Sequence, residues 1–242
     1  MRIQVCGPIV VEDGDQRLEQ GLPSRQGRIL FAYLVVNRDR LVPRAEIIDA
    51  LWPTGGPEDA DGALNALLSR LRRALGPNRV AGRGTLRLTL GEASVDLESA
   101  DEAIRRAESA VAQGEWERAW AASLVTMFVA KRGFLPGEDA MWIDQIRRHL
   151  DELYLRSLES YGAAGLGLGG TELAAARNAG RLLVTMVPLR ESGHRLLMRT
   201  LAAEDNPAEA LRVYEHLRCL LRDELGVTPS DVTRALYESL LR

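Results

Sequence analysis

The sequence predicts a mainly α-helical fold with a small β component, divided into two domains at residues 1–97 and 98–242. Two changes along the chain indicate this. Short β-branched segments come first, and apolar residues at helical spacing follow them. Beyond residue 97 the strand signals stop, and one helical stretch follows another. A length of 242 residues, 46% of them hydrophobic, is enough for two domains with apolar cores.

Residues 1–20 are predicted to form short strands. Ile3, Val5 and the segment 9–11 are β-branched, which favours extended backbone. Asp13-Gly14 is a typical hairpin turn, and it stands between two such segments. The first domain is therefore expected to begin with a small antiparallel sheet.

Three helices are predicted next, because apolar residues recur at helical spacing in three segments. These residues are Ile29, Leu30, Tyr33 and Leu34; then Ile47, Ile48, Leu51 and Trp52; then Leu64, Leu67, Leu68, Leu71 and Leu75. Pro23-Ser24 and Pro43 precede the first two helices, where proline is tolerated. Asp59 or Asp61 is suited to cap the third helix, which is expected to stop at Gly76-Pro77.

A hairpin is predicted after the third helix. Arg79-Val80 and the segment 85–90 read as strands on either side of Gly82 and Gly84. Two helices, a loop and a hairpin in this order are typical of a winged helix-turn-helix, a fold that binds duplex DNA. A three-helix core with a purely structural ribbon is the alternative, and helical spacing alone does not separate the two.

Residues 98–242 are predicted to be all helical. The expected helices are 99–113, 115–130, 139–163, 171–186, 189–204, 207–224 and 229–241. Paired helices with small residues between them are typical of tetratricopeptide-like repeats. Gly165–Gly170 is interpreted as a flexible connection between helices. A dinucleotide-binding loop would need a strand before it, and here a helix precedes the segment. Four aromatic residues are expected to pack within this domain: Trp116, Trp120, Trp142 and Tyr154.

Charge is distributed unevenly along the chain. The net charge of −3 excludes a protein that is basic over its whole surface. Of 31 cationic residues 30 are arginines, and six of these lie between Gly62 and Gly91, where no acidic residue occurs. From Ser99 to the last residue, 18 cationic residues stand against 21 acidic ones. A surface for a polyanion is therefore expected in the first domain.

The third helix is predicted to present a DNA-binding face. At helical spacing Ser69 and Arg73 lie opposite the leucines, with Arg70 at one edge and Asn65 and Arg72 at the other. A helix in the major groove needs small residues for close approach and long donors for base edges and phosphates. Arginine suits both tasks. The alternative is a solvated arginine-rich face.

In the hairpin, Arg83 and Arg87 are predicted to reach phosphates or the minor groove. Arg79, at the start of the hairpin, is the weaker candidate. The alternative is that these arginines pair with acidic residues outside the hairpin, such as Glu92 or Glu98.

Several segments resemble one known family over nearly the whole chain. They are, in chain order, Asp49–Pro53, Ser69–Gly76, Phe134–Asp139 with Trp142, Leu150–Arg156, Glu209–Glu215 and Leu225–Ser230. They are similar to segments of the Streptomyces antibiotic regulatory protein family in its short form, without a nucleotide-hydrolysing domain. The resemblance implies a winged helix-turn-helix of the response-regulator type, followed by a bacterial transcriptional activator domain.

The resemblance also implies a function. Members of this family activate transcription by binding direct repeats in promoters as side-by-side homodimers next to RNA polymerase. In related winged helices the loop between the second and third helices faces RNA polymerase, and the resemblance implies the same contact here for Thr54, Gly55, Gly56 and Glu58. The alternative is that this loop is only a Gly/Pro connection with an acidic cap for the third helix. The chain departs from the family in one respect: the wing segment 82–88 lacks the usual aromatic residue near its end.

Other functional classes find little support in the sequence. It contains no nucleophile elbow, no metal-ligand spacing and no apolar run of membrane-spanning length. We therefore expect a cytoplasmic protein that is not an enzyme, without cofactor or metal, with Cys6 and Cys219 as free thiols. The second domain is expected to mediate self-association and to offer a groove for a small-molecule effector. The alternative function is a helical-repeat adaptor or small-molecule sensor whose winged helix is structural.

Overall fold

The computed structural model describes residues 1–22, 24–76 and 78–242. Pro23 and Pro77, placed by the sequence analysis before the first helix and at the end of the third, lie outside the described residues. The chain divides into two compact units. We call Met1–Ser99 with Arg132–Leu150 the N-terminal unit, and Ala100–Lys131 with Asp151–Arg242 the C-terminal unit. The domain boundary after residue 97 stays a prediction.

The strands of the N-terminal unit are short. They are β1 (Arg2–Gln4), β2 (Val10–Asp13), β3 (Gln16–Arg17), β4 (Val42–Pro43), β5 (Val80–Ala81), β6 (Thr85–Leu88) and β7 (Ser94–Val95). One sheet has the order β3-β2-β1-β7, and the other has the order β4-β6-β5. Ile3 pairs with Val11 on the antiparallel side of β1 and with Val95 on the parallel side. The opening sheet and the later hairpin were both predicted, whereas β4 and β7 were not.

Three helices complete the core of this unit: α1 (Arg25–Val36), α2 (Arg44–Leu51) and α3 (Ala60–Leu75). The leucine stripe predicted for α3 is confirmed, since all five leucines are buried. Of the two predicted caps, Asp59 accepts a hydrogen bond from the Gly62 amide at 2.8 Å. Asp61 instead forms an ion pair with Arg44 at 3.0 Å.

The remainder of the chain is helical. Its helices are α4 (Asp96–Gln113), α5 (Trp116–Arg132), α6 (Met141–Leu168), α7 (Leu173–Met186), α8 (Glu191–Ala203), α9 (Pro207–Leu225) and α10 (Asp231–Leu240). Each predicted helical stretch has its counterpart, so a mainly α fold with a small β component is confirmed. In the C-terminal unit α8 packs against both α7 and α9. No helix within the described ranges is long and apolar enough to cross a membrane.

The glycine-rich segment Gly165–Gly170 corrects one prediction. It was expected to be a flexible connection, but α6 continues through its first four residues. A Cβ atom at Gly165 would lie 3.0 Å from Trp120 Cζ3, and one at Gly167 would lie 2.3 Å from Trp116 Cδ2. The glycines therefore let the end of α6 approach the two indole rings closely, and tight packing holds the segment helical.

His194 on α8 is a buried titratable group in the C-terminal unit. Its Nε2–H donates to the Pro188 carbonyl oxygen at 2.9 Å, and its Nδ1 atom has no hydrogen-bond partner among the described residues. Burial lowers the pKa of His194, because the charged ring would lose its hydration. His216 lowers this pKa further, whereas the bond to Pro188 and the charge of Glu191 oppose the shift.

The C-terminal unit is expected to lose stability as the pH falls below about 6.5, the ordinary pKa of histidine. The unfolded chain binds a proton there while the buried ring stays neutral, so the free energy of unfolding decreases with falling pH. In thermal melts, His194→Gln should lose less stability than the parent between about pH 7 and 5. His216→Gln removes only a smaller contribution to the low pKa of His194 than burial makes, so its profile should lie between the two and close to the parent's. If His194→Gln follows the parent's profile, another group causes the loss.

Candidate nucleic-acid interface

Helix α3 has one buried face and one exposed face. The leucines pack toward α1 and α2. On the opposite side, Asn65, Ser69, Arg70 and Arg73 are all exposed. The structure therefore places these four side chains on the exposed surface of α3, and their role in binding DNA stays a prediction. Gly76, with a φ of 94°, ends the helix.

Arg72 differs from its neighbours because it binds the protein itself. Its Nε donates to the Val80 carbonyl oxygen at 3.1 Å, and its Nη2 donates to the Gly82 carbonyl oxygen at 3.0 Å. These bonds connect α3 to the first strand and the turn of the hairpin. The predicted DNA contact of Arg72 stays a prediction, whereas its positioning role, which occupies two of its donor nitrogens, was not predicted.

The hairpin β5–β6 is held in a defined conformation. Gly82 has a φ of 98°, and a Cβ atom there would lie 1.9 Å from the Thr85 carbonyl oxygen, so only glycine fits this turn. The Arg44 amide donates to the Gly84 carbonyl oxygen at 3.2 Å, which joins the start of α2 to the hairpin. These bonds, with those of Arg72, fix the conformation of the hairpin, whose segment 82–88 contains no aromatic residue.

Side chains alternate along β6. Leu86 and Leu88 are buried in the core, whereas Arg87 is exposed, and Arg83 in the turn is exposed as well. This alternation follows from the strand period of two residues. The structure thus places both predicted wing arginines on the solvent side of the hairpin.

Four arginines of this region have no partner among the residues that the structure describes. Arg70, Arg73, Arg83 and Arg87 form no hydrogen bond or ion pair with any residue that the structure describes. We call these four side chains the unpaired arginine group. Their guanidinium groups are therefore free to bind a polyanion, and arginine is well suited to phosphate because its donors form a planar fork.

Other arginines of the same unit are paired. Arg79, the weaker candidate for DNA, forms an ion pair with Asp13 at 2.5 Å. Arg38 forms an ion pair with Glu98 at 2.5 Å. Among the described residues, neither Glu92 nor Glu98 pairs with Arg83 or Arg87, as the alternative interpretation proposed. Acidic residues within the unit thus neutralise other arginines and leave the unpaired arginine group uncompensated.

The loop between α2 and α3 is exposed over residues 53–59. Thr54, Gly55, Gly56 and Glu58 are all accessible to solvent. The Gly55 amide donates to the Trp52 carbonyl oxygen at 3.2 Å, and the loop ends at the cap residue Asp59. A loop that contacts another protein has to be accessible, as this loop is. The contact with RNA polymerase itself stays a prediction.

A polar network that the sequence analysis missed fixes α2 against α1. Tyr33 Oη donates to Glu46 Oε1 at 2.5 Å, and Arg40 Nη1 donates to Glu46 Oε2 at 3.0 Å. The hydrogen bonds from Arg40 and then Tyr33 lower the pKa of Glu46 to about 2. Burial, followed by the bond to Glu46, raises the pKa of Tyr33 to about 12. No local motif indicated this network, because its members come from two helices and their connection.

Trp142 corrects another prediction, which placed it in the core of the helical domain. It lies in the N-terminal unit, where its ring packs edge-on against Tyr33 at a centroid distance of 4.9 Å. Its Nε1–H donates to the Ala50 carbonyl oxygen at 3.2 Å, and Phe134 lies 5.7 Å away. The half-buried indole donates to a carbonyl group of α2, a contact that sequence spacing could not reveal.

Replacement of Arg72 by alanine is expected to loosen the wing. Losing two hydrogen bonds from a half-buried guanidinium should cost roughly 1 kcal/mol of stability. The Thr89 amide, which donates to the Arg79 carbonyl oxygen at 2.8 Å, should exchange its hydrogen faster. Arg70→Ala serves as the control, since Arg70 has no partner within the described part of the chain. Equal exchange in both variants would show that Arg72 does not hold the hairpin.

The described residues contain no group of three or more His, Cys, Asp or Glu side chains placed to hold a metal ion.

Known proteins are similar to this chain over its whole length. The family model of the bacterial transcriptional activator domain matches residues 95–241. Regulatory protein AfsR of Streptomyces griseus is 31% identical over 248 residues, covering 100% of this chain and 24% of AfsR. Transcriptional regulatory protein MoaR1 of Mycobacterium tuberculosis is 27% identical, covering 79% of MoaR1.

A solved structure is similar as well. Mycobacterium tuberculosis EmbR in complex with a low affinity phosphopeptide matches with a TM-score of 0.83 and 24% sequence identity. The match covers 100% of this chain and 65% of that chain. It shows a shared fold. The chain spans about a quarter of the length of AfsR, and these relatives support the resemblance to the Streptomyces antibiotic regulatory protein family.

Proposed function

Because the chain belongs to the family of the bacterial transcriptional activator domain, we propose that it is a transcriptional regulator that binds specific DNA sequences. In this proposal α2, the following loop and α3 form a helix-turn-helix, and β5–β6 forms its wing. The observation that carries the proposal is the unpaired arginine group on α3 and the wing. The relatives AfsR and MoaR1 are named as regulatory proteins, and these names support the proposed function.

We propose that α3 enters the major groove with its exposed face. Ser69 is small and lets the helix approach the base edges, and Asn65 can reach bases near the start of the helix. Arg73 lies opposite the buried leucines and is assigned to bases, because its planar fork matches the two acceptors of guanine. Arg70, at the edge of this face, is assigned to the phosphate backbone.

The wing is proposed to contact the DNA backbone beside the groove. Arg83 and Arg87 are exposed and unpaired within the described residues, as phosphate-binding side chains must be. Arg72 holds the hairpin by its bonds to Val80 and Gly82, so its contribution is mainly to position the other two. The Gly82 turn further restricts where Arg83 can lie.

Assembly and polymerase contact complete the proposal. We assign self-association as a homodimer to residues 98–242, with two N-terminal domains side by side on direct repeats. The exposed loop with Thr54, Gly55, Gly56 and Glu58 is assigned to RNA polymerase. Activation of transcription follows if the bound protein recruits the enzyme to the promoter.

Selection of binding sites from random duplex DNA by the whole chain tests this function. We expect an enriched sequence that occurs as two direct repeats about one helical turn, or 10–10.5 base pairs, apart. A variant with Arg70, Arg73, Arg83 and Arg87 all changed to Gln should enrich nothing. A matched variant changes Arg148 and Arg212, which are exposed and likewise unpaired among the described residues, and should select the parent's sequence. Failure of the parent to enrich any sequence would reject the proposal.

A further inference from the structure

The C-terminal unit contains a cavity of about 430 Å³ that the proposed function does not use. Helices α4, α5, α6 and α8 line it. The volume lies within the range of about 300–1,000 Å³ that is usual for pockets that bind small molecules. From its lining we propose that it binds a compact aromatic or alicyclic carboxylic acid.

The floor of the cavity is apolar. Its apolar lining residues are Val111, Trp116, Ala163, Leu166 and Leu196. The indole of Trp116 is the largest of these side chains and is only partly buried. Its Nε1–H has no hydrogen-bond partner within the described ranges. A flat apolar ring would therefore find a hydrophobic contact in this floor.

Close packing of the helices forms the walls before any ligand binds. A Cβ atom at Gly162 would lie 2.3 Å from Leu196 Cδ2, so α6 and α8 approach each other over this glycine. Trp116 packs over Gly167 in the same way. Walls fixed by such contacts need little reordering on binding, which favours affinity for a small rigid ligand.

The charge of the lining selects an anion. Glu159 accepts a hydrogen bond from Ser192 Oγ at 2.5 Å and forms an ion pair with Arg190 at 3.2 Å, so its negative charge is compensated. Arg195 donates to Thr233 Oγ1 at 2.9 Å and lies 3.7 Å from Glu191.

Arg199, the remaining charged residue of the lining, is exposed and has no partner among the residues described. A ligand carboxylate at the rim would supply the missing counter-charge for its guanidinium, and it could accept two parallel hydrogen bonds. The cavity thus combines an apolar floor with one free cation at its edge. An amphiphilic anion complements both features.

Calorimetric titration of the whole chain with 1-naphthaleneacetate and with its neutral amide tests the inference. The two probes share a ring system and differ in charge. We expect the acid to bind at least tenfold more tightly than the amide. Arg199→Gln should weaken the acid about tenfold and leave the amide unchanged, because an exposed charged hydrogen bond of this kind contributes about one power of ten. Arg212→Gln, an exposed arginine on α9 outside the lining, should change neither affinity.

A second variant tests the location. Ala163→Phe places a ring in the cavity and should abolish binding of both probes while the melting temperature stays close to the parent's. Equal affinities for acid and amide, equal effects of the two arginine variants, or no binding of the acid at about 1 mM would each overturn the inference. The titrations contain no DNA, so their outcome is independent of the proposed DNA binding.

Discussion

Replacement of Arg73 by alanine is expected to weaken binding to the selected DNA site by about 1–3 kcal/mol, roughly one to two powers of ten in affinity. The reason is that Arg73 lies on the exposed side of α3, opposite the buried leucines, and is assigned to a bidentate contact with a base. Its side chain has no partner in the described structure, so its removal costs the fold little. Fluorescence anisotropy with the selected duplex gives the affinity, and a thermal melt checks the fold.

The control for Arg73→Ala is Arg148→Ala. Arg148 is also exposed, unpaired among the described residues and part of the N-terminal unit, but it lies on α6. Its loss should leave affinity for both specific and random duplex unchanged. Arg73→Ala should instead lower affinity for the selected duplex much more than for random DNA. Equal losses on the two duplexes would assign Arg73 to phosphates rather than to bases.

Replacement of Leu71 by alanine is expected to destabilise the N-terminal unit by about 2–5 kcal/mol, the usual cost of deleting a fully buried leucine side chain. Leu71 is 0% exposed on the inner side of the same helix. Amide hydrogen exchange within residues 1–99 measures the effect directly, because it reports this unit separately from the C-terminal helices.

Ser69→Ala is the matched control on the exposed side of α3. It should change stability by no more than about 0.5 kcal/mol, as is usual for surface positions. A comparable destabilisation by both substitutions would mean that α3 packs on both faces. No surface of the helix would then be available for DNA.

Local patterns predicted the parts of this structure that depend on local periodicity. The α3 stripe from Leu64 to Leu75 follows the helical period, and burial of these leucines leaves Arg73 exposed as a geometric consequence. Asp59 was a predicted cap because its side chain needs only the amide of Gly62 three residues later. The helices beyond residue 97 were found for the same reason.

Features that depend on distant partners were not predictable. β4 and β7 have two residues each, and they become strands only by pairing with β6 and β1. The role of Arg72 depends on carbonyl groups that the hairpin brings to it. Packing of residues 132–150 with the N-terminal unit depends on Trp142 meeting Tyr33, far away in sequence. Such contacts form when distant segments pack together, so the spacing of residues within one segment cannot predict them.

The salt dependence of DNA affinity tests the central claim, that an uncompensated arginine surface binds DNA. With Arg73 assigned to bases, three unpaired arginines per subunit remain for phosphates, or six for a dimer. Counterion release then predicts a slope of about −5 for log affinity against log salt concentration, and about −3.5 for Arg83→Gln. The net charge of −3 cannot produce such a slope, because it repels DNA at long range. A slope near zero for the parent chain would contradict the claim.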